Sequence, residues 1–136
     1  MKTVFYVDDN EDDLEFFKIA AEDCGASVHL FLDPAVMISA MEIEIKPDII
    51  YLDYNLHVGT GVDVIRNIRA KKIYQEIPIV ILSEHEDKAV ISLCWRAGAN
   101  YFITKPRSLK TFEKVLAITL DIDWANYKPS KEDFSF

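Results

Sequence analysis

Residues 4–13 read VFYVDDNEDD. Four apolar residues, Val4–Val7, run straight into two adjacent acids, Asp8 and Asp9. The apolar run is too short for a helix and has the composition of a buried strand. Asn10 is a helix N-cap residue, and Leu14, Phe17, Ala21 and Cys24 then fall on one helical face, with Gly25 as the stop. The stretch therefore spells strand, acidic turn, helix. Two neighbouring carboxylates at a buried strand end repel each other and are costly to desolvate, so the fold must supply something that neutralises them.

The same alternation continues along the chain. Apolar runs at Val28–Leu32, Ile49–Leu52, Ile77–Leu82 and Tyr101–Ile103 predict four more strands. Between them lie segments with helical spacing. Asp33 caps a helix with Pro34 at its first position, followed by Met37, Ala40 and Met41. Val62, Ile65 and Ile68 mark a third helix. Val90, Leu93, Cys94 and Ala97, closed by Gly98, mark a fourth. Leu109, Phe112, Val115, Leu116 and Thr119 mark a fifth. Strands alternating with helices imply a parallel sheet covered on both faces. With right-handed crossovers, the predicted fold is α/β: a five-stranded, doubly wound, flavodoxin-like sheet of strand order 2-1-3-4-5.

Sheets of this kind place their site at the carboxyl ends of the strands. Asp8 and Asp9 follow the first strand, Asp53 the third, Ser83 the fourth and Lys105 the fifth. The second strand ends in Phe31, Leu32 and Asp33, and no chemistry is assigned there. Taken singly, each is an ordinary turn former or solvated charge. Together at four strand ends they form a chemical set. Three converging carboxylates need a cation, and oxygen-only donors suit Mg²⁺. Asp53 is then a candidate nucleophile for a phosphoryl group, with Ser83 and Lys105 on the other phosphoryl oxygens.

Composition narrows the classes. The chain has 136 residues, half of them hydrophobic, a formal net charge of −8 and a pI near 4.8. That charge, and the lack of a large Lys/Arg cluster, argue against nucleic-acid binding. No apolar run approaches the ~20 residues needed to span a bilayer, and no cleavable signal is visible. A cytoplasmic location is expected. Cys24 and Cys94 fit no metal-site spacing and are expected to be buried thiols.

The motifs VDDN, YLDYNL, ILSEH and ITKP together make residues 2 to about 120 resemble the receiver domain of two-component response regulators. The resemblance implies that Asp53 accepts a phosphoryl group from a phosphohistidine on a sensor histidine kinase or phosphotransfer protein. It implies that Asp9 ligates Mg²⁺ directly, Asp8 largely through water, and Asn55 through its backbone carbonyl. Ser83 and Lys105 would bind the phosphoryl group, and the Lys105–Pro106 peptide would be cis. Gly61 matches the glycine of the loop after the acceptor, and Phe102 holds the aromatic switch position. Ser83 would move toward the phosphoryl group, Phe102 would turn into the space behind it, and an unidentified downstream protein would read the change.

There are departures. His57 stands where the family usually has proline and reads as a surface loop residue. Glu84 stands where a small residue is usual, and His85 and Asn55 occupy positions that tune phosphate lifetime. Glu84 and His85 are therefore expected to alter autodephosphorylation.

Residues 1–121 are read as the receiver unit and 122–136 as a tail that forms no domain of its own, so a stand-alone receiver is expected. The tail carries Trp124, Tyr127, Phe134 and Phe136. It is expected to pack partly on its own domain; the alternative is a partner or homodimer contact through the tail or the face of helix 4, strand 5 and helix 5.

Two other functions compete. A Mg²⁺-dependent aspartyl-phosphate phosphohydrolase usually has a second acid two residues after its nucleophile, where this chain has Asn55. A flavodoxin-like cofactor binder wants a hydroxyl- and glycine-rich phosphate loop after the first strand, and VDDNED is its electrostatic opposite.

Overall fold

The structure, a computed structural model, describes residues 1–43, 45–56 and 59–135; His57, discussed above, and Phe136 lie outside the described residues. Five strands, β1 (Thr3–Val7), β2 (Ser27–Phe31), β3 (Ile49–Asp53), β4 (Ile79–Ser83) and β5 (Tyr101–Thr104), alternate with five helices. The helices are α1 (Glu11–Asp23), α2 (Pro34–Ile43), α3 (Gly61–Arg69), α4 (Lys88–Ala97) and α5 (Leu109–Asp121). All strand pairs of the main sheet are parallel, in the order β2-β1-β3-β4-β5.

The side-chain period of two divides every central strand between two cores. In β3, Ile50 and Leu52 join Met37, Met41, Ile65, Ile68 and Cys94 under α2, α3 and α4. Ile49 and Tyr51 join Leu14, Phe17, Phe112 and Leu116 under α1 and α5. The Tyr51 hydroxyl, buried in that second layer, shares a 2.6 Å hydrogen bond with Thr119 of α5.

Local chemistry sets the helix ends. The Asn10 side chain accepts from the Asp13 N–H, Asp33 from Ala35, Asp87 from Ala89 and Val90, and Ser108 from Thr111. Each satisfies a first-turn donor that has no partner within the helix. Gly98, at φ +111°, ends α4 in the left-handed region that favours glycine.

The expected strand boundaries shift by one or two residues: β1 starts at Thr3, β2 at Ser27, and β3, β4 and β5 each end one residue later, at Asp53, Ser83 and Thr104. β2 stops at Phe31, leaving Leu32 half exposed. β4 begins at Ile79 and not Ile77, because Pro78 has no N–H to give a ladder. A short antiparallel ladder, in which Asn55 faces Thr60 and Leu56 faces Gly59, was not signalled by periodicity. Cys94 is buried, and burial pushes its thiol pKa up to about 12; Cys24 is only partly buried. Among the described residues, no helix is long and apolar enough to cross a membrane.

Candidate functional site

The carboxyl ends of β1, β3, β4 and β5 meet on one rim. Asp53 is the last residue of β3 and Ser83 the last of β4. Ser83 pairs with Thr104 across to β5, and the Lys105 N–H donates to the Ser83 carbonyl at 2.7 Å. Sheet register thus fixes the root of Lys105 beside Ser83. Its ammonium then reaches back over the rim. Nζ lies 2.9 Å from Asp53 Oδ1, 3.0 Å from Asp8 Oδ2, 3.0 Å from Asp13 Oδ2 and 3.7 Å from Glu84 Oε1.

The acids are crowded. Asp8, Asp9 and Asp53 each offer a carboxylate oxygen, and those oxygens all lie within 4.8 Å of one another. Asp8 is 1% exposed, and both of its carboxylate oxygens accept hydrogen bonds. Its Oδ2 accepts from the Tyr6 hydroxyl at 2.6 Å and from Lys105, and its Oδ1 accepts from the Asn10 N–H at 3.0 Å. Burial pushes the Asp53 carboxyl up to about 6 from an ordinary 3.8; Lys105 opposes the rise, and the charges of Asp8 and Asp9 add to it. Burial pulls the Lys105 ammonium down, but the hydrogen bond and charge of Asp53, followed by those of Asp8, outweigh it and hold its pKa above the usual lysine range. Burial and the neighbouring Asp8 likewise keep the Tyr6 hydroxyl protonated well beyond its ordinary range.

One ammonium does not balance three carboxylates this close, and an oxygen-only donor set of this kind fits a hard divalent cation such as Mg²⁺. Asp8, Asp9 and Asp53 are the side chains that would hold it. Asn55 follows at the start of the short ladder after β3, with Tyr54 between it and Asp53.

The loop behind Asp53 is closely packed. The Gly61 N–H donates to Tyr54 O at 2.7 Å. A Cβ on Gly61 would sit 3.2 Å from both Asp53 O and Tyr54 Cα, so glycine is what lets α3 start this close to the end of β3.

On the other side, the Ser83 hydroxyl is held by the backbone of His85: the His85 N–H donates to Oγ at 3.3 Å, and Oγ donates to the His85 carbonyl at 3.2 Å. The His85 ring is outside this exchange. Phe102 is 1% exposed, within the α2–α4 layer. The expected cis bond is corrected: the Lys105–Pro106 peptide is trans, since no peptide bond among the described residues is cis. A prolyl bond allows cis at small cost but does not require it.

Two residues of this network, Tyr6 and Asp13, were missed from the sequence. Both had a signal. Tyr6 lies in β1 two residues before Asp8, which follows the strand, and Asp13 lies in the first turn of α1, which rises from the same strand end.

The response regulator receiver domain family matches residues 4–117. The phosphate regulon transcriptional regulatory protein PhoB of Pseudomonas aeruginosa is 31% identical over 109 residues, covering 79% of this chain and 46% of PhoB. The two-component response regulator ARR8 of Arabidopsis thaliana is 29% identical over 111 residues, covering 80% of this chain and 46% of ARR8. The chain thus spans about half the length of these curated relatives. In fold it is similar to the phosphorylated cyanobacterial phytochrome response regulator RcpA, with a TM-score of 0.78 at 24% identity over 95% of this chain and 99% of RcpA. With the family match extending from β1 well into α5, the chain belongs to the response regulator receiver domain family.

Proposed function

We propose that this chain is a phosphoacceptor switch whose acceptor is Asp53. A carboxylate oxygen of Asp53 attacks the phosphorus of a phosphohistidine on a sensor histidine kinase or phosphotransfer protein. An O–P bond forms, the P–N bond breaks, and the imidazole leaves with the bonding pair and takes up a proton. The observation that carries this reading is the ammonium of Lys105, 2.9 Å from the Asp53 carboxylate at the edge of the three-acid cluster. Lys105 neutralises charge on the incoming phosphoryl oxygens, and Ser83 donates its hydroxyl once it leaves the His85 backbone.

Mg²⁺, held by Asp9 and Asp53, by the carbonyl of Asn55 and, through water, by Asp8, would supply charge neutralisation to the phosphoryl oxygens. Phe102 would shift when Ser83 moves, and a downstream protein in the cytoplasm would read the altered face of α4, β5 and α5, either directly or through a homodimer. Residues 1–121 are the working unit and 122–136 an appended tail.

Incubation with acetyl phosphate and Mg²⁺, followed by intact-mass measurement, tests this. One phosphoryl group per chain should appear, be lost with EDTA, and be absent in Asp53→Asn. Turnover of many equivalents would instead identify a phosphohydrolase, and an unchanged signal in Asp53→Asn would exclude Asp53 as the acceptor.

A further inference from the structure

The aromatic tail engages both layers of the fold. Trp124 is buried beside α1 and α5, its indole N–H donating to Thr119 O at 3.0 Å. The chain then crosses to the opposite layer. There Phe134 is fully buried with Phe102, their ring centroids 6.5 Å apart. The Phe102 N–H donates to the Phe134 carbonyl at 3.0 Å, and Phe102 forms a parallel bridge with Ser135. Along the way Pro129 O accepts from the Trp95 indole at 3.4 Å, and Lys128 pairs with Glu76 at 3.4 Å.

β5 is the last strand of the main sheet, and an open edge invites pairing. The tail closes it as a rudimentary sixth strand with one phenyl anchor. Just before that anchor, Lys131, Glu132 and Asp133 are all exposed. The strand it grips leads directly to the site. Ser83 stands opposite Thr104, Ile81 stands opposite Phe102, and Lys105 follows Thr104. Phe102 and Lys105 are three residues apart, roughly 10 Å along a strand. Between them the Thr104 hydroxyl is buried with no hydrogen-bond partner, so this end of β5 lacks a polar lock.

We propose that the β5 edge beside α4 is a docking groove for an extended peptide segment with an aromatic anchor. The chain's own residues 133–135 fill it at rest, and phosphorylation of Asp53 loosens them, so that an extended segment of a downstream protein takes their place. The proposal rests on Asp53 being the acceptor. The tail shows the binding mode it must share with its competitor: a parallel strand, a backbone bond to the Phe102 N–H and a phenyl ring beside Phe102. Because tail and phosphoryl group act through one strand, the coupling is reciprocal, and losing the tail's grip favours the phosphorylated state.

Hydrogen exchange on the full chain, with intact mass recording phosphorylation in the same samples, tests it. After acetyl phosphate and Mg²⁺, the Phe102 amide and residues 130–135 should exchange faster by roughly tenfold or more. The labelled peptide KPSKEDFSF should bind the phosphorylated chain roughly tenfold more tightly than the unmodified one, as loss of a competing occupant requires. Its KPSKEDASF counterpart should bind neither. Phe134→Ala should reproduce the faster Phe102 exchange without phosphate. Phosphoryl gain with unchanged tail exchange, or equal peptide binding in both states, overturns the proposal while leaving Asp53 as acceptor. Tail release followed by dimerisation in place of peptide capture assigns the groove to a second copy and overturns the downstream-partner claim. Absence of any phosphoryl gain removes the reading beneath it.

Discussion

Asp53→Asn should make the metal-free protein more stable, by an amount set by pH. The Asp53 side chain is 7% exposed, and its carboxyl is pushed up to about 6 from an ordinary 3.8. The folded chain therefore holds this proton more tightly than the unfolded chain does. The stability contributed by the protonated form is complete below about pH 3.8 and is lost as pH rises through about 6. Two pKa steps and a fraction, at ~1.36 kcal/mol each, make the ionised carboxylate destabilising by up to about 3 kcal/mol at pH 8. Asparagine keeps the shape of the protonated acid and never ionises. In EDTA at pH 8 the variant should gain up to that amount, a rise in Tm of roughly 10 °C at most for a chain of this size. Near pH 4 most of the gain should be gone. Mg²⁺ should narrow the difference from the other direction, since a ligand at 100 times its Kd stabilises the folded state by about 2.7 kcal/mol and only the wild type keeps the full donor set. Urea melts of both proteins across this pH range, with and without Mg²⁺, are the assay. Equal stability at pH 8 in EDTA, or a gain that does not change with pH, would refute the electrostatic picture of the site.

Three other substitutions probe separate parts of the argument. Thr119→Val leaves the buried Tyr51 hydroxyl without its partner and should cost about 1–3 kcal/mol in a urea melt, whereas loss of a solvated bond would cost almost nothing. Gly61→Ala drives a methyl toward the backbone at Asp53 and Tyr54, with a stability loss of about 1–3 kcal/mol and weaker Mg²⁺ binding by titration; unchanged Mg²⁺ affinity would separate that glycine from the site. Glu84→Ala frees Lys105 from a weak, half-exposed competitor, so the aspartyl phosphate should decay about 1.4- to 5-fold more slowly, the range set by an exposed ion pair of ~0.2–1 kcal/mol. An unchanged decay rate would remove Glu84 from the chemistry.

What could be read from the sequence was what short-range physics encodes. Short continuous apolar runs and helical faces with period 3.6 gave the layers, because strands of a parallel sheet are buried on both faces. Asn10, Asp33 and Gly98 signalled helix ends because caps act within a few residues. Strand ends could be listed without coordinates, so Asp8, Asp53, Ser83 and Lys105 could be nominated together. Direction could not. Nothing in ITKP says that the lysine reaches Asp13 of α1 as well as Asp53, because that depends on where α1 stands above the rim. The same holds for Tyr6, whose hydroxyl matters only once its strand face is known, and for the Lys105–Pro106 bond, whose isomers differ too little in energy for the dipeptide to decide. The aromatic content of the tail predicted packing on its own domain, but not where each ring would go. That Trp124 and Phe134 go to opposite layers is a long-range fact with no local signature.

The charge balance of the rim explains why metal and phosphoryl group belong together in this reading. Asp8, Asp9 and Asp53 present three carboxylates, and Lys105 is the cation set among them, with Asp13 also drawing on its charge. The site is thus under-neutralised: burial is the first cause of the raised Asp53 pKa, Lys105 opposes it, and the charges of Asp8 and Asp9 add to it. A divalent cation would cancel it. Phosphorylation then replaces one carboxylate charge by roughly −1.5 to −2, most of which Lys105 and the cation can absorb. A phosphoryl group arriving without the cation would enlarge a deficit that already disfavours ionisation of Asp53. Acceptance without a divalent ion should therefore be slow even with Lys105 in place. Replacing Lys105 by methionine should raise the demand for Mg²⁺ and not relieve it, and a Lys105→Met protein that took up phosphate in EDTA as fast as the wild type does with Mg²⁺ would contradict that balance.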